Sequence, residues 1–364
     1  MKVKEITEVL ERFAPLSLQE PYDNAGLIIG SPEMEVSQVL LCLDAVEEVL
    51  DEAIKTNCNL VISHHPILFS GIKHLTGNTY VERTIIKAIR HNIAIYAAHT
   101  NLDNIRDGVN SKICERLQLK NTKILSPRRG HLMKLYTYVP HKAAEDLRAA
   151  LFQAGAGVIG NYDQCSFNSE GYGTFRGNIN TNPFVGEPGV QHREAETKIE
   201  VMFPVWLENE IISALKKNHP YEEVAYETIA VNNKWEEIGA GMIGELEPPM
   251  EPAQFFLFLK EQMKVKVIKH TRAINTTISK VAVCGGSGSF LLKEAIASGA
   301  DVLVTSDFKY HQFFDAEGQI IIADIGHYES EQFTPEILAE IFRQKFPTFA
   351  LRFTSINTNP INYF

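Results

Sequence analysis

The residues of this sequence with the clearest chemical potential are histidines and carboxylates that follow apolar stretches. Five of them stand at or just beyond the ends of LVIS, IAIYAA and IIIAD: His64, His65, Asp103, His327 and Glu331. Imidazole and carboxylate groups suit zinc, iron, manganese and cobalt. Because adjacent residues on a strand point to opposite sides, His64 and His65 could serve one ion each. His327 and Glu331 are four residues apart, so a short helix would place both side chains on one face.

Each of these groups, taken alone, also has an ordinary structural explanation. A surface loop can hold two adjacent histidines, and an i, i+4 pair is common on exposed helices. Asp103 could form an Asx turn, and His99 could be a buried, hydrogen-bonded histidine. Three separate strands that end in His or Asp weaken these explanations jointly. We therefore predict a site for two divalent ions, with zinc, iron or manganese as candidates, and the lack of thiolates favours a catalytic or labile site.

A glycine-rich turn and two histidines are the remaining candidates. The segment CGGSGS follows a predicted strand and precedes a predicted helix, so the amides of Gly285, Gly286 and Gly288 could approach a phosphate. The segment matches neither Walker A nor GxGxxG, and a tight strand-to-helix turn explains it equally well. If phosphate binds there, a bulky residue at Gly286 should weaken ligand binding and leave metal content intact. His99 and His311 are candidates for proton transfer, although His311 could equally lie in a plain loop.

The elements that would position these residues form two similar stretches, one near each end of the chain. VLLCLD, AVEEVLDEAIKTN and NLVISHHP predict strand, helix and strand, and VAVCGG, SGSFLLKEAIASG and ADVLVTSD repeat that order. In an ungapped alignment Cys42 falls on Cys284, and His64-His65 falls on Ser306-Asp307. We therefore predict a duplicated α/β fold with mostly parallel sheets and ligands at the carboxyl ends of the strands.

The pattern changes between these stretches, at about residues 127–233. LMKLYTYVP and AAEDLRAALFQAG predict a strand and a helix, and TKIEVMFPV and LENEIISALKKN repeat that order. A Gly/Pro-rich segment between them predicts a hairpin with a loop, and HPYEE, starting at His219, predicts a plain turn. This order favours a ferredoxin-like α+β domain, inserted between core halves at residues 1–126 and 234–364.

Composition restricts the location and partners of the protein. The chain has 364 residues, a net charge of −10 and no strongly basic run, which disfavours nucleic acid as a partner. No apolar run approaches the roughly 20 residues that span a bilayer. Ile6, Val9, Leu10 and Phe13 predict an amphipathic N-terminal helix instead of a signal peptide. The five cysteines are scattered and never form CxxC, which fits a reducing cytoplasm.

Five motifs in both outer stretches resemble the GTP cyclohydrolase 1 type 2 family, also called NGG-interacting factor three-like proteins. They are DNAGLIIG, SHHPILF, HTNLD, CGGSGS and GHYESE. The resemblance implies a dinuclear metal site and a toroidal homohexamer. On the matching motifs His64, His65, Asp103 and His327 fall on metal ligands, and Glu331 falls on the residue that bridges both ions. The middle segment resembles the PII-like and CutA-like folds of longer bacterial members.

The resemblance also places His99 beside the site without making it a firm ligand. Tyr22 departs from the tryptophan that often precedes the Asp-Asn pair of the family, but it lies outside the ligand set.

Two functions from different classes follow from these residues. A metal-dependent hydrolase would use the ions to lower the pKa of a water and polarise the attacked group. The resemblance makes GTP the candidate substrate, and phosphoester cleavage is chemically just as natural. A non-enzymatic regulator or metal-handling protein would instead bind metal while its inserted segment senses a small ligand. A turnover assay with defined metal content separates the two.

Overall fold

The computed structural model describes residues 1–274 and 276–364. The described residues form two compact units, residues 1–127 with 236–364, and residues 128–235. Helices and strands occur in both units, so the predicted α/β class is confirmed. Within the described residues, no helix combines the length and apolarity needed to cross a bilayer.

The regular elements are numbered here in chain order. The helices are α1 Val3–Phe13, α2 Glu47–Lys55, α3 Tyr80–Arg90, α4 Thr100–Asp103, α5 Val109–Arg116, α6 Ala144–Gln153, α7 Glu208–Asn218, α8 Pro252–Gln262, α9 Leu292–Ala297, α10 His327–Glu331 and α11 Thr334–Lys345. The strands are β1 Gly26–Ile29, β2 Val39–Asp44, β3 Leu60–His65, β4 Ala94–Ala97, β5 Lys120–Arg128, β6 Leu132–Pro140, β7 Phe167–Phe175, β8 His192–Pro204, β9 Tyr226–Val231, β10 Trp235–Met250, β11 Lys269–His270, β12 Ile278–Ser287, β13 Val302–Ser306, β14 Ile321–Asp324 and β15 Leu351–Phe353. Short 3₁₀ turns lie at Leu16–Leu18, His141–Ala143, Val205–Leu207, Ser289–Leu291 and Tyr310–Ala316.

The first sheet of the larger unit has the strand order β1-β4-β3-β2-β15. Strands β2, β3 and β4 run parallel, and β1 runs antiparallel to β4. The parallel strands are almost wholly buried, as continuous apolar runs are in sheets covered on both faces. Helix α2 closes one face with Val49, Leu50 and Ala53. The register pairs Asp44 with His65 at the carboxyl edge.

The second sheet has the order β11-β14-β13-β12-β10-β5. Strands β12, β13 and β14 are parallel, whereas β10 runs antiparallel to β12 and β11 runs antiparallel to β14. Helix α9 packs Leu292 and Ala295 into the core of this sheet. The predicted strand–helix–strand order is therefore confirmed in both stretches, as β2-α2-β3 and as β12-α9-β13.

Short helices follow the strands at the carboxyl edges of both sheets. His99 stands at the N-cap of α4, directly after β4. Gly326 precedes α10 with φ +94°, a backbone conformation that side chains other than glycine rarely adopt. The sharp turn that results puts His327 and Glu331 one helical turn apart, both close to the strand end.

The smaller unit holds an antiparallel sheet of order β7-β8-β6-β9. Along the chain its elements run β6-α6-β7-β8-α7-β9, so the predicted strand–helix repeat and hairpin are present. Helices α6 and α7 share a core with the residues of alternate positions in β6 and β8, among them Leu135, Val139, Ile199 and Val201. Side chains at the intervening positions point to the opposite face of the sheet.

Candidate metal centre

Glu331 lies at the middle of a buried cluster in the larger unit. Its residue is 3% exposed, and its two carboxylate oxygens face different imidazoles. Oε1 lies 3.7 Å from Nε2 of His64, and that nitrogen lies 3.6 Å from Oδ1 of Asp103. Oε2 lies 2.9 Å from Nε2 of His65 and 3.1 Å from Nε2 of His327. The carboxylate therefore stands between two separate sets of donor atoms.

In each histidine of the cluster, Nδ1 lies within hydrogen-bond distance of an oxygen atom. His64 Nδ1 lies 2.7 Å from the Ala98 carbonyl, His65 Nδ1 2.7 Å from Asp44, His99 Nδ1 2.7 Å from Asp23, and His327 Nδ1 2.6 Å from Asp307. In a neutral imidazole, an acceptor at Nδ1 keeps the proton there, so Nε2 carries the lone pair that can bind a metal ion. This arrangement is the one that orients histidines toward a metal ion in many proteins.

Electrostatics in the cluster follow from burial and from this close packing of charges. Burial alone would raise the pKa of Glu331, but hydrogen bonds from the histidines outweigh it and lower that pKa. Burial and the neighbouring Glu331 charge both raise the pKa of Asp103. Burial opposes protonation of His65 and His327, yet hydrogen bonds to carboxylates raise their pKa values to about 9 and about 11. The cluster is thus built around concentrated negative charge, which a cation stabilises.

Two buried atoms of the cluster fit a metal ion better than any side-chain partner. His64 Nε2 and Asp103 Oδ1 are buried and have no hydrogen-bond partner among the described residues. An unpaired buried polar atom is costly, so such atoms call for a water or an ion. Two groups, His64 with Asp103 and Glu331, and His65 with His327 and Glu331, each bring three ligand atoms within 4.8 Å of one another. Imidazole and carboxylate donors of this kind suit divalent transition metals.

His99 and His311, the two candidates for proton transfer, lie in different places. The His99 ring is 5.2 Å from the His64 ring and 5.4 Å from the His65 ring. His311 is exposed in the 3₁₀ turn after β13, and its ring contacts in the described chain are with Tyr310 and Phe314. The structure therefore brings His99 to the cluster, whereas the ring contacts of His311 in the described chain lie outside it.

The glycine-rich turn requires a correction to the expected role of Gly286. The amide of Gly285 donates to Asn110 Oδ1 at 2.9 Å, and that of Gly286 donates to Ser330 Oγ at 2.9 Å. Neither amide therefore has its hydrogen free for a phosphate. A Cβ at Gly286 would overlap Oε1 of Glu331, so a larger residue there should disturb the metal ligands and not only a bound nucleotide. Gly288 is also tightly placed, against the side chains of Cys284 and Thr305.

Two small cavities flank the cluster. One of about 280 Å³ reaches His99, Asp103 and Glu331, and exposed aromatic rings line it: Tyr22, Phe69 and Phe290. The other, about 340 Å³, reaches His65 and His327 and is lined on one side by residues 359–361. Phe69 lines both cavities, as do His65 and His327.

Sequence reasoning did not find the oxygens behind the histidines. The sequence patterns did not assign this role to Asp23, Asp44, Asp307 or the Ala98 carbonyl. Asp44 could have been found, because it ends the strand that neighbours His65. Asp307 adopts φ +60°, which is uncommon for a non-glycine residue and often marks a functional position.

The fold and the cluster together define a mixed α/β protein with a histidine–carboxylate site that could hold metal. The chain belongs to the Duf34/NIF3 (NGG1p interacting factor 3) family, whose sequence profile matches residues 1–360. A Halalkalibacterium halodurans relative, named GTP cyclohydrolase 1 type 2 homolog, is 38% identical over 364 residues, covering 98% of each chain. A Bacillus subtilis relative of the same name is 39% identical over 327 residues, covering 89% of this chain and 88% of the relative.

Solved structures agree with this family membership. A Bacillus cereus protein related to NIF3 superposes with a TM-score of 0.88 at 37% identity, covering 100% of this chain and 99% of the other. A Staphylococcus aureus protein superposes with a TM-score of 0.79 at 30% identity, with the same coverage. The family resemblance predicted from the sequence motifs is therefore confirmed.

Proposed function

We propose that this protein binds two divalent transition-metal ions per chain and uses them to hydrolyse a nucleotide-like substrate. His64, Asp103 and Glu331 would hold one ion, and His65, His327 and Glu331 the other. The position of Glu331 carries the proposal, because each of its oxygens faces a different group of donors. Zinc, iron and manganese are the candidate metals on ligand chemistry.

Two adjacent divalent ions would lower the pKa of a bound water and polarise a phosphoryl or carbonyl oxygen. The protein's own residues would orient and bury the reacting groups. Asp23 holds the proton at Nδ1 of His99, which leaves Nε2 able to accept a proton. Through this geometry His99 is better placed than His311 for proton transfer. The glycine-rich turn would contribute by allowing Glu331 a close approach.

Exposed rings beside the site support a substrate with a flat ring system. Tyr22, Phe69 and Phe290 are 69%, 55% and 64% exposed and line the cavity that reaches Asp103. Aromatic side chains this accessible can stack against a planar base. GTP and related purine nucleotides are the first compounds to test, since the curated relatives carry the name GTP cyclohydrolase 1 type 2 homolog.

Metal content tests the binding half of the proposal. Protein purified without chelator should contain close to two equivalents of transition metal. Glu331→Gln should lose both ions, because one carboxylate serves both positions. Glu329→Gln is the matched control: this buried carboxylate lies on the same helix, but its Oε1 accepts from Asn359. One tightly held equivalent in the wild type, or equal loss in both variants, would refute the two-ion site.

Product formation from GTP and a small nucleotide panel tests the catalytic half. The metal-free protein should be inactive because it holds no ions, and Asp103→Ala should be inactive because it has lost a proposed metal ligand. Activity that survives in both controls would point to a contaminating enzyme. Two bound ions without turnover for any candidate metal would favour the alternative, a non-enzymatic metal-binding regulator or metal-handling protein.

We also propose that the larger unit arose by duplication and that residues 127–233 form an inserted PII-like, ferredoxin-fold domain. Corresponding strands β2-β3-β4 and β12-β13-β14 in two sheets support the duplication. The element order in the smaller unit supports the insert. The family resemblance further implies a homohexamer, which sedimentation of the full chain would test. The scattered cysteines favour a cytoplasmic location, which cell fractionation would test.

A further inference from the structure

A cavity in the smaller unit lies on the face of its sheet that α6 and α7 do not cover. Its volume is about 660 Å³, within the range of small-molecule sites. Five aromatic residues line it: Tyr138, Tyr172, Phe175, Phe184 and Tyr221. The Tyr221 ring stands between Phe175 and Phe184, with ring centroids 6.0 Å and 6.3 Å away. These three rings form an aromatic cluster in the lining of the cavity.

A buried carboxylate also lines the cavity. Glu196 is only 7% exposed, although glutamate is seldom buried without a compensating group. Its one hydrogen bond among the described residues comes from the Tyr221 hydroxyl, which donates to Oε1 at 2.7 Å. Burial raises the pKa of Tyr221, as does this hydrogen bond, so the hydroxyl stays protonated and remains a donor. Because an ionised carboxylate can accept about four hydrogen bonds, Glu196 keeps acceptor capacity.

Among the residues that line the cavity, carboxylates outnumber basic side chains. The lining contains four carboxylates and two basic side chains, namely Glu170, Glu196, Glu222, Glu223, Arg176 and Lys198. Arg176 is exposed, and Lys198 is paired with Glu200 at 2.9 Å. Among the described residues, neither of these two side chains forms an ion pair with Glu196. The rings already attract side-chain cations, since Arg193 lies 4.0 Å from the Tyr172 ring centroid and Lys142 lies 5.3 Å from that of Phe184.

We infer that this cavity binds a small organic amine: a protonated nitrogen with N–H donors, carried on a flat or apolar body. The ammonium would donate to Glu196, and the rings would cover the body through apolar and cation–π contacts. None of the described residues that line this cavity is a proposed metal ligand, so the inference is independent of the proposed hydrolase.

Calorimetric titration of the full, metal-loaded chain tests this with three probes that share one body. Phenethylamine carries a positive charge, 2-phenylethanol is neutral and 3-phenylpropionate is negative. Phenethylamine should bind at least about tenfold more tightly than either of the others, as expected when a hydrogen bond to a charged partner is gained. Equal affinity for all three probes, preference for the anion, or no binding by any of them would overturn the inference.

Two variants assign the binding to named groups. Glu196→Gln keeps an oxygen that can accept from the Tyr221 hydroxyl. Its affinity for phenethylamine should fall by about 10- to 100-fold, so that the preference over the neutral probe is lost. Phe175→Leu should weaken phenethylamine and 2-phenylethanol alike. Glu210→Gln, an exposed change on α7, is the matched control and should bind as the wild type does.

Sedimentation at the same concentrations separates a ligand site from a contact between copies. The inference is wrong if the probes act only by changing the oligomeric state. It is also wrong if Glu196→Gln, with its thermal transition and metal content intact, still prefers phenethylamine.

Discussion

Replacing Gly286 with alanine should remove metal from the centre through a steric effect on Glu331. Gly286 has φ +62°, and an added Cβ would overlap Oε1 of Glu331. The glycine has little room to retreat, because its amide donates to Ser330 and its carbonyl accepts from Thr305 and Ser306. The carboxylate must therefore move. Since loss of even an outer partner of a metal ligand costs about 10- to 100-fold in affinity, a displaced ligand should cost at least as much.

The left-handed backbone adds a separate cost of about 1–2 kcal/mol when alanine replaces glycine. Gly318→Ala isolates that cost, because Gly318 has φ +68° and open space where its Cβ would stand. Unfolding of the chelator-treated variants in denaturant should show this backbone cost in Gly318→Ala and at least as large a loss of stability in Gly286→Ala. Metal titration against a chromogenic chelator should show weaker binding only in Gly286→Ala. Wild-type metal affinity in Gly286→Ala would refute the steric argument, as would an equal loss in Gly318→Ala.

Three further perturbations test other parts of the structure. Thr358→Val removes the hydroxyl that donates to the Asp44 carboxylate, which in turn contacts His65. Chelator competition should show that Thr358→Val binds one ion about tenfold more weakly and that Thr358→Ser recovers the affinity. Unchanged affinity in Thr358→Val would show that this contact does not support the metal ligand. Burial lowers the pKa of His219, so the unfolded chain binds more protons than the folded chain below about pH 6.5. The free energy of unfolding of the smaller unit should therefore fall as the pH drops through this range, and equal pH slopes in wild type and His219→Gln would contradict this. Replacing residues 128–235 with a short linker should leave a folded, metal-binding remainder by circular dichroism and elemental analysis, whereas an insoluble or metal-free product would show that this segment is integral.

Much of the local structure could be predicted because it depends on short-range pattern. The apolar runs before His64 and Asp103 form buried parallel strands. Ile6 and Leu10, whose spacing predicted a helix, lie on the buried side of α1. A continuous apolar run bounded by polar residues predicts such a strand whatever its neighbours are. The candidate ligands were found for the same reason, since they stand where these runs end.

The rest depended on contacts between distant segments, which spacing along the chain does not encode. Asp23 reaches His99 across 76 positions, and Thr358 reaches Asp44 across 314. The glycine turn was misjudged for a related reason. Its sequence suggested free amides, but Asn110 and Ser330 accept from them, and the space above Gly286 belongs to Glu331. The cavity around Glu196 was missed because its rings come from several strands and loops.

The cluster joins parts of the chain that leave the ribosome at very different times. His65 and Glu331 are 266 positions apart, yet their side chains meet at 2.9 Å. During synthesis the strands β2, β3 and β4 can pair with one another while α10 and the edge strand β15 are still untranslated. Two histidines and Asp103 would then be in place without the carboxylate that stands between the two donor groups. Assembly of the centre is therefore a late step in the making of this protein, and a chain truncated before His327 would lack the carboxylate that could join two ions.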